Sequence, residues 1–128
     1  MDGSPMPLDL TFDPDGVAWL IAAGDVSWSD AVSAVRRLYA DPQFAPPTRT
    51  VWDLRAGRTL LTGDQVRDLA DLLLTERPDG RGRTAIVADD DLTFGTGRMV
   101  EQMTSDDRVD VHVFREIELA TRWLADAF

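Results

Sequence analysis

Along this sequence, segments with the apolar spacing of β-strands alternate with segments that have the spacing of α-helices. This order of elements is compatible with few folds. Apolar and polar residues alternate over 8–12, residues 13–16 read Asp-Pro-Asp-Gly, and a second apolar run covers 17–22. Alternation at every second residue is typical of strands, and Asp, Pro and Gly favour the turn between them. We therefore predict a β-hairpin at this end of the chain.

Four helices and three further strands are predicted after the hairpin. The first helix follows Ser27, a suitable N-cap, and Asp41-Pro42 ends it. Thr62 and Gln65 have the spacing of a capping box, which predicts the second helix start. The third helix follows Asp89-Asp90-Asp91, and its apolar residues are Leu92, Met99, Val100 and Met103. The fourth starts near Glu116, and the strands cover 50–55, 84–88 and 109–114.

The resulting order is β-β-α-β-α-β-α-β-α, which predicts an α/β fold with a mixed, mostly parallel sheet. Right-handed crossovers place each later strand beside an earlier one, and the helices cover the sheet. The length of 128 residues and an apolar fraction of 44% suit one domain. We expect a disordered lead-in over 1–7 and a single domain over 8–128.

Composition excludes several kinds of chemistry. The net charge of −10 disfavours nucleic acid and anionic membranes as partners. All 13 basic residues are Arg, and neither Lys nor Cys occurs, so Schiff-base, lysine-dependent phosphate and thiolate chemistry are excluded. Residues 1–7 have no apolar segment typical of a signal peptide, and no apolar run is long enough to span a bilayer. We expect a soluble, cytoplasmic, bacterial protein without a cofactor.

Five strings carry a resemblance to a known family. They are VWDLR at 51–55, RTAIV at 83–87, FGTGRM at 94–99, VHVFR at 111–115 and ATRWL at 120–124. With the order of elements, they resemble the SpoIIAA-like family, related to STAS and anti-sigma-factor-antagonist domains and also described as STAS/Sec14-like. The resemblance covers nearly the whole chain and implies a SpoIIAA-like fold.

The resemblance also implies a function. STAS relatives act as non-enzymatic binding switches, in which a Ser or Thr opening the helix after the third strand is phosphorylated by a partner kinase. Thr62 occupies that position here. The sequence lacks the Asp-Ser-Ser-Gly string of those relatives, and no carboxylate precedes Thr62. The alternative interpretation of Thr62 is a plain N-cap.

Other candidate sites have structural alternatives as well. Aspartates follow two strands, Asp53 after one and the three residues 89–91 after the next, and together they could hold Mg²⁺. The alternative is that the run at 89–91 simply caps a helix. An anion could bind at the start of the third helix, held by Gly95, Gly97 and Arg98, or the two glycines could instead allow close packing.

His112, the single histidine, lies in an apolar strand, where a solvated or hydrogen-bonded role is favoured over catalysis. Arg77, Arg81 and Arg83 form a basic cluster that is typical of a solvated turn.

The leading hypothesis is a STAS-like binding or regulatory domain without catalytic or metal-binding residues. Its protein partner, unknown from sequence, would contact a surface that includes Thr62 and six further residues: Asp53, Arg55, Phe94, Gly95, Gly97 and Arg98. A homodimer through exposed tryptophans is a further expectation. The alternative is a small carrier that holds an apolar or amphipathic ligand between helix and sheet. An enzyme that uses the aspartates and a metal ranks last.

Overall fold

The computed structural model describes residues 7–44, 48–59, 61–75, 82–104 and 109–126. The predicted lead-in, 1–7, lies outside these residues except for Pro7, as do Arg77 and Arg81. The elements in chain order are β1 Leu8–Phe12, β2 Ala18–Ala22, β3 Gly24–Val26, α1 Trp28–Ala40, β4 Thr48–Asp53, β5 Gly57–Thr59, α2 Gly63–Thr75, β6 Gly82–Val87, α3 Asp91–Met103, β7 Val109–Phe114 and α4 Ile117–Ala125.

Five strands form the main sheet in the order β1-β2-β4-β6-β7. β1 pairs with β2 in antiparallel fashion, while β2, β4, β6 and β7 are parallel to one another. This confirms the predicted α/β fold with a mostly parallel mixed sheet. The short strands β3 and β5, which were not predicted, form a separate parallel pair.

The hairpin turn depends on one aspartate. Asp13 Oδ1 accepts hydrogen bonds from the backbone N–H groups of Asp15 at 2.9 Å and Val17 at 3.0 Å. Its other oxygen accepts from Trp19 Nε1 at 3.0 Å. Gly16 has a φ of +83°, a conformation that glycine adopts at little steric cost. The carboxylate thus connects the turn to the strand that follows it.

The helices divide between the two faces of the sheet. α1, α2 and α3 cover one face, and the core there includes Leu20, Ala34, Val35, Leu38, Trp52, Val66, Leu73, Ile86, Val100 and Val111. α4 packs on β6 and β7 from the other face, over a smaller core of Val17, Val51, Ala85, Val87, Ala120 and Leu124. Consecutive residues such as Val51 and Trp52 belong to different cores, because side chains alternate along a strand.

The parallel strands place the starts of all four helices at one edge of the sheet. Each helix follows a strand and runs back across it, so its N-terminus lies at the carboxyl ends of the strands. This edge is called the carboxyl edge below, and it is where open α/β sheets commonly bind ligands. The longest described helices have 13 residues, and within the described ranges no helix is long and apolar enough to cross a membrane.

Candidate functional site

The N-terminus of α2 lies at the carboxyl edge and begins with a capping box. The backbone N–H of Gln65 donates to Thr62 Oγ1 at 3.2 Å, and the backbone N–H of Thr62 donates to Gln65 Oε1 at 3.0 Å. Thr62 is exposed. Its hydroxyl is thus both the N-cap of α2 and accessible from solvent, a position where phosphate would meet free N–H groups.

The aspartates before α3 have separate structural roles. Asp90 is the N-cap and accepts from the backbone N–H of Thr93 at 2.8 Å, and this hydrogen bond holds the pKa of Asp90 below its ordinary value. Asp91 pairs with Arg115 at 2.7 Å, and the same guanidinium donates to the carbonyl of Asp89 at 2.9 Å. Across the described ranges, no group of three or more His, Cys, Asp or Glu side chains is placed to hold a metal ion.

The buried face of α3 consists of small residues. These buried residues are Thr93, Gly97 and Val100, and Thr93 and Val100 are 0% and 3% exposed. A Cβ on Gly97 would lie 2.7 Å from Val113 Cγ2, so this position allows the helix to approach β7 closely. Gly95 faces open space.

Two large apolar side chains of α3 point to solvent. Leu92 is 71% exposed and Met99 is 36% exposed. Their spacing of seven residues, with Gly95 between them, places all three on one face of the helix. The buried residues of α3 are instead Thr93, Gly97 and Val100, whose spacing of three and four residues marks the buried face of the helix.

Phe94 and Arg98 lie on the side of α3 that faces the end of β7. The guanidinium of Arg115 lies 4.1 Å from the centroid of the Phe94 ring, and Arg98 pairs with Glu101 at 3.5 Å. Arg98 thus has a carboxylate partner within its own helix.

Asp53 and Arg55 lie on the opposite face of the sheet from α2 and α3. Asp53 is next to Val87 in the register of β4 and β6, and Val87 belongs to the core under α4. Asp53 is 7% exposed and accepts from Arg55 Nε at 2.9 Å and Nη2 at 2.8 Å. These side-chain hydrogen bonds hold the pKa of Asp53 below its ordinary value, although burial acts in the other direction. The predicted surface is therefore divided between the two faces of the sheet.

His112 lies on β7 between two carboxylates. Nδ1 is 3.0 Å from Glu101 Oε2 and Nε2 is 3.1 Å from Asp110 Oδ1, and the ring packs edge-on against Trp123 with centroids 4.8 Å apart. Arg83 completes this group through Asp110 at 3.4 Å and lies 4.8 Å from the Trp123 ring centroid. Each ring nitrogen thus faces a carboxylate.

A small cavity lies between the sheet and the helices α1, α2 and α3. Its volume is about 40 Å³, and its lining includes Trp52, Leu69 and Ile86. Thr59 and Thr93 also line it, and the buried hydroxyl of Thr59 has no hydrogen-bond partner in the described part of the chain. Sequence reasoning missed this cavity, because no local pattern connects Thr59 in β5 with Thr93 in α3.

Comparison with known proteins supports the fold. No protein-family model and no curated protein matches the sequence. Among solved structures, the chain is similar to the crystal structure of an uncharacterised protein of the DUF3478 family from Shewanella loihica, which has a SpoIIAA-like fold. The match covers 97% of this chain and 98% of that chain, with a TM-score of 0.59 and 16% sequence identity. At this identity the likeness bears on fold alone, and it confirms that the chain has a SpoIIAA-like fold.

Proposed function

We propose that this protein is a non-enzymatic binding domain with a regulatory role, and that its protein partner contacts the start of α2 and the exposed face of α3. The observation that supports this proposal most is the exposure of Leu92 and Met99. Thr62, Leu92, Gly95 and Met99 are together called the α2–α3 surface below. Apolar side chains gathered on one helix face commonly mark interaction sites.

The parts of the α2–α3 surface are adjacent. α2 and α3 pack against each other, and both begin at the carboxyl edge. Leu61, which precedes Thr62, lines the same cavity as Thr96, and Thr96 lies beside Leu92 and Met99 in the helical projection. A partner that covers the exposed face of α3 would therefore lie close to the Thr62 hydroxyl.

The net charge of the chain favours a positively charged partner. Asp64 and Asp91, at the starts of α2 and α3, are exposed, but each pairs with an arginine, Arg67 and Arg115 respectively. The chain as a whole has a net charge of −10, which accelerates association with a positively charged partner and slows it with a negatively charged one.

Affinity capture from the native host tests the surface. Leu92→Ser removes the most exposed apolar side chain of α3, while Leu119→Ser is the matched control, since Leu119 is 46% exposed but lies on α4. We expect Leu92→Ser to lose a protein that both the wild type and Leu119→Ser retain, as quantified by mass spectrometry. Equal retention by all three would contradict the proposed surface.

Phosphorylation of Thr62 is a separate part of the proposal. A phosphate there would add nearly two negative charges beside the free N–H groups of α2, which would change the charge seen by the partner. We expect intact-mass and phosphosite analysis of protein from the native host to find phosphate on Thr62, and Thr62→Glu to weaken partner capture. An unmodified Thr62 together with unchanged capture by Thr62→Glu would exclude the switch while leaving the binding surface in place.

A second copy of the chain is the other protein partner to consider. The tryptophans do not single out an interface for it, because Trp52 is buried and Trp19, Trp28 and Trp123 are half-buried. If the wild type is a dimer in light scattering and Leu92→Ser is a monomer, the partner on the α2–α3 surface is the chain itself.

The carrier hypothesis is limited by the size of the cavity. A cavity of about 150 Å³ can bind benzene, whereas the cavity beneath α2 and α3 has about 40 Å³. An acyl chain would fit only if the helices separated from the sheet. A bound apolar molecule in native mass spectra of protein purified without denaturation would favour the carrier over the binding domain.

A further inference from the structure

β1 is the outermost strand of the main sheet at the end opposite β7. Two hydrogen bonds flank its ladder with β2: the backbone N–H of Ala23 donates to the carbonyl of Pro7 at 2.9 Å, and that of Asp13 donates to the carbonyl of Val17 at 3.0 Å. Hydrogen-bonded positions alternate along an antiparallel pair, so residues 7, 9, 11 and 13 bond to β2. The backbone N–H and C=O groups of residues 8, 10 and 12 therefore point outward, away from the sheet.

The outward groups of β1 offer an edge for a further strand. Arg37 of α1 donates to the carbonyl of Leu8 at 2.9 Å, which agrees with the outward direction of that group. In the described part of the chain, the outward groups of Leu10 and Phe12 have no hydrogen-bond partner, and both side chains are half-buried beside the core under α1. An apolar edge strand with open backbone groups is a template for strand pairing.

The sequence of β1, LDLTF, is compatible with pairing to a second copy of itself. An antiparallel pair centred on Leu10 uses every outward group of the strand, because Leu10 then lies opposite Leu10 and Leu8 lies opposite Phe12. In this register Asp9 lies opposite Thr11. A pair centred on Asp9 would instead place two aspartates directly opposite each other, which is destabilising. The register centred on Leu10 is therefore favoured.

Charges near the two ends of β1 are opposite in sign. Arg37 contacts the carbonyl of Leu8 at the start of the strand, and the turn after the strand exposes Asp15. In the antiparallel pair, the turn of each copy extends past Leu8 of the other copy and lies beside Arg37. A parallel pair would bring the two acidic turns together. Opposite charges at both ends thus favour the antiparallel pair, although each copy has a net charge of −10.

We propose that two copies of this chain associate edge to edge through antiparallel pairing of β1, so that the main sheet continues from one copy into the other. The interface is the same on both copies and closes on itself. It lies at the end of the sheet opposite β7, against which α3 packs. The β1 interface is therefore separate from the α2–α3 surface and does not depend on the partner proposed for that surface.

Sedimentation equilibrium of the full chain over a range of concentrations tests the interface. Leu10→Pro removes an N–H group that points away from β2, so the ladder within each copy is retained. We expect the wild type to dimerise, and Leu10→Pro to dimerise at least about tenfold more weakly. Asp15→Arg places like charges together at both ends and should weaken the dimer about fivefold. Asp126→Arg is the matched control, because it makes the same charge change at an exposed residue after α4 and should dimerise like the wild type.

Amide hydrogen exchange of the wild type tests the same interface without a variant. The N–H groups of Leu10 and Phe12 are bonded only in the dimer, so we expect their protection to rise with protein concentration. The N–H of Asp9 bonds to β2 in either state, and its protection should stay constant. A chain that is monomeric up to about 1 mM, a dimer in which Leu10 exchanges freely, or equal dimerisation by folded Leu10→Pro would each overturn the proposal.

Discussion

Glu101 of α3 accepts a hydrogen bond from the backbone N–H of Val113 in β7, at 3.3 Å. β7 is the last strand of the main sheet, so this N–H has no strand partner on that side. An edge strand with free backbone groups can pair with other chains, and charged side chains are a common means of preventing this. Glu101 therefore closes part of the edge, and its Oε2 also contacts His112 Nδ1 at 3.0 Å.

We expect Glu101→Ala to destabilise the protein by about 1 kcal/mol, because the N–H of Val113 and the ring of His112 lose their acceptor. Urea unfolding would measure the change. Gln102→Ala is the control, since Gln102 is exposed on the same helix and its removal should change stability by less than about 0.5 kcal/mol. Equal values for the two variants would show that Glu101 contributes nothing beyond an ordinary surface residue.

The pair of Asp53 and Arg55 makes stability depend on pH in the acid range. The pKa of Asp53 is lowered in the folded state from its ordinary value of 3.8, so its contribution is complete above that value and is lost as the pH falls through the folded pKa. We expect Asp53→Asn to be less stable than the wild type at neutral pH, and the difference to shrink below about pH 4. Urea unfolding at both pH values would measure it.

Asp25→Asn is the matched control for that experiment. Asp25 also pairs with an arginine, Arg58 at 2.9 Å, but the two side chains are 52% and 66% exposed. An exposed pair is worth at most about 1 kcal/mol, so we expect a smaller loss at neutral pH. A loss as large as that of Asp53→Asn would mean that the burial of Asp53 has no energetic consequence.

The three consecutive aspartates before α3 should behave differently. Asp90→Ala removes the N-cap and should cost about 1 kcal/mol, whereas Asp91→Ala breaks an exposed pair with Arg115 and should cost no more than about 0.5 kcal/mol. Asp89→Ala should change little, because Arg115 contacts the carbonyl of Asp89, which alanine retains. Thermal unfolding of the three variants would give the order, and a largest effect at Asp89 would indicate a role other than capping.

The parts of the fold that were predictable depend on residues close together in sequence. The capping boxes of Ser27 with Asp30 and of Thr62 with Gln65 each involve residues three apart, and the change of period between strand and helix can be detected within a few residues. β3 and β5 were not predicted, because each has only three residues, and a segment of that length is too short to show alternation.

The candidate site was less predictable, because it depends on how distant elements pack. The buried face of α3 consists of Thr93, Gly97 and Val100, so large apolar residues alone do not show which face of this helix is buried. Gly57 could not be interpreted from sequence either, since its role depends on Ala22, whose Cβ would lie 2.6 Å from a Cβ at position 57.

Alanine at the two glycines of α3 should have opposite effects on stability. Gly95→Ala adds a methyl group in open space and should stabilise by roughly 0.5–1 kcal/mol, because alanine favours the helix. Gly97→Ala gains the same preference, but its Cβ would lie 2.7 Å from Val113 Cγ2 and 3.3 Å from Val113 Cβ. Val113 cannot easily rotate away, since β-branched side chains have few allowed rotamers.

Overpacking of this kind costs about 1–3 kcal/mol, so we expect Gly97→Ala to be less stable than the wild type and Gly95→Ala to be more stable. Chemical unfolding of both variants under identical conditions measures the difference, and Gly95→Ala serves as the control for helix preference. If both variants were stabilised equally, α3 would be free to move away from β7, and the close approach at Gly97 would not determine where the helix lies.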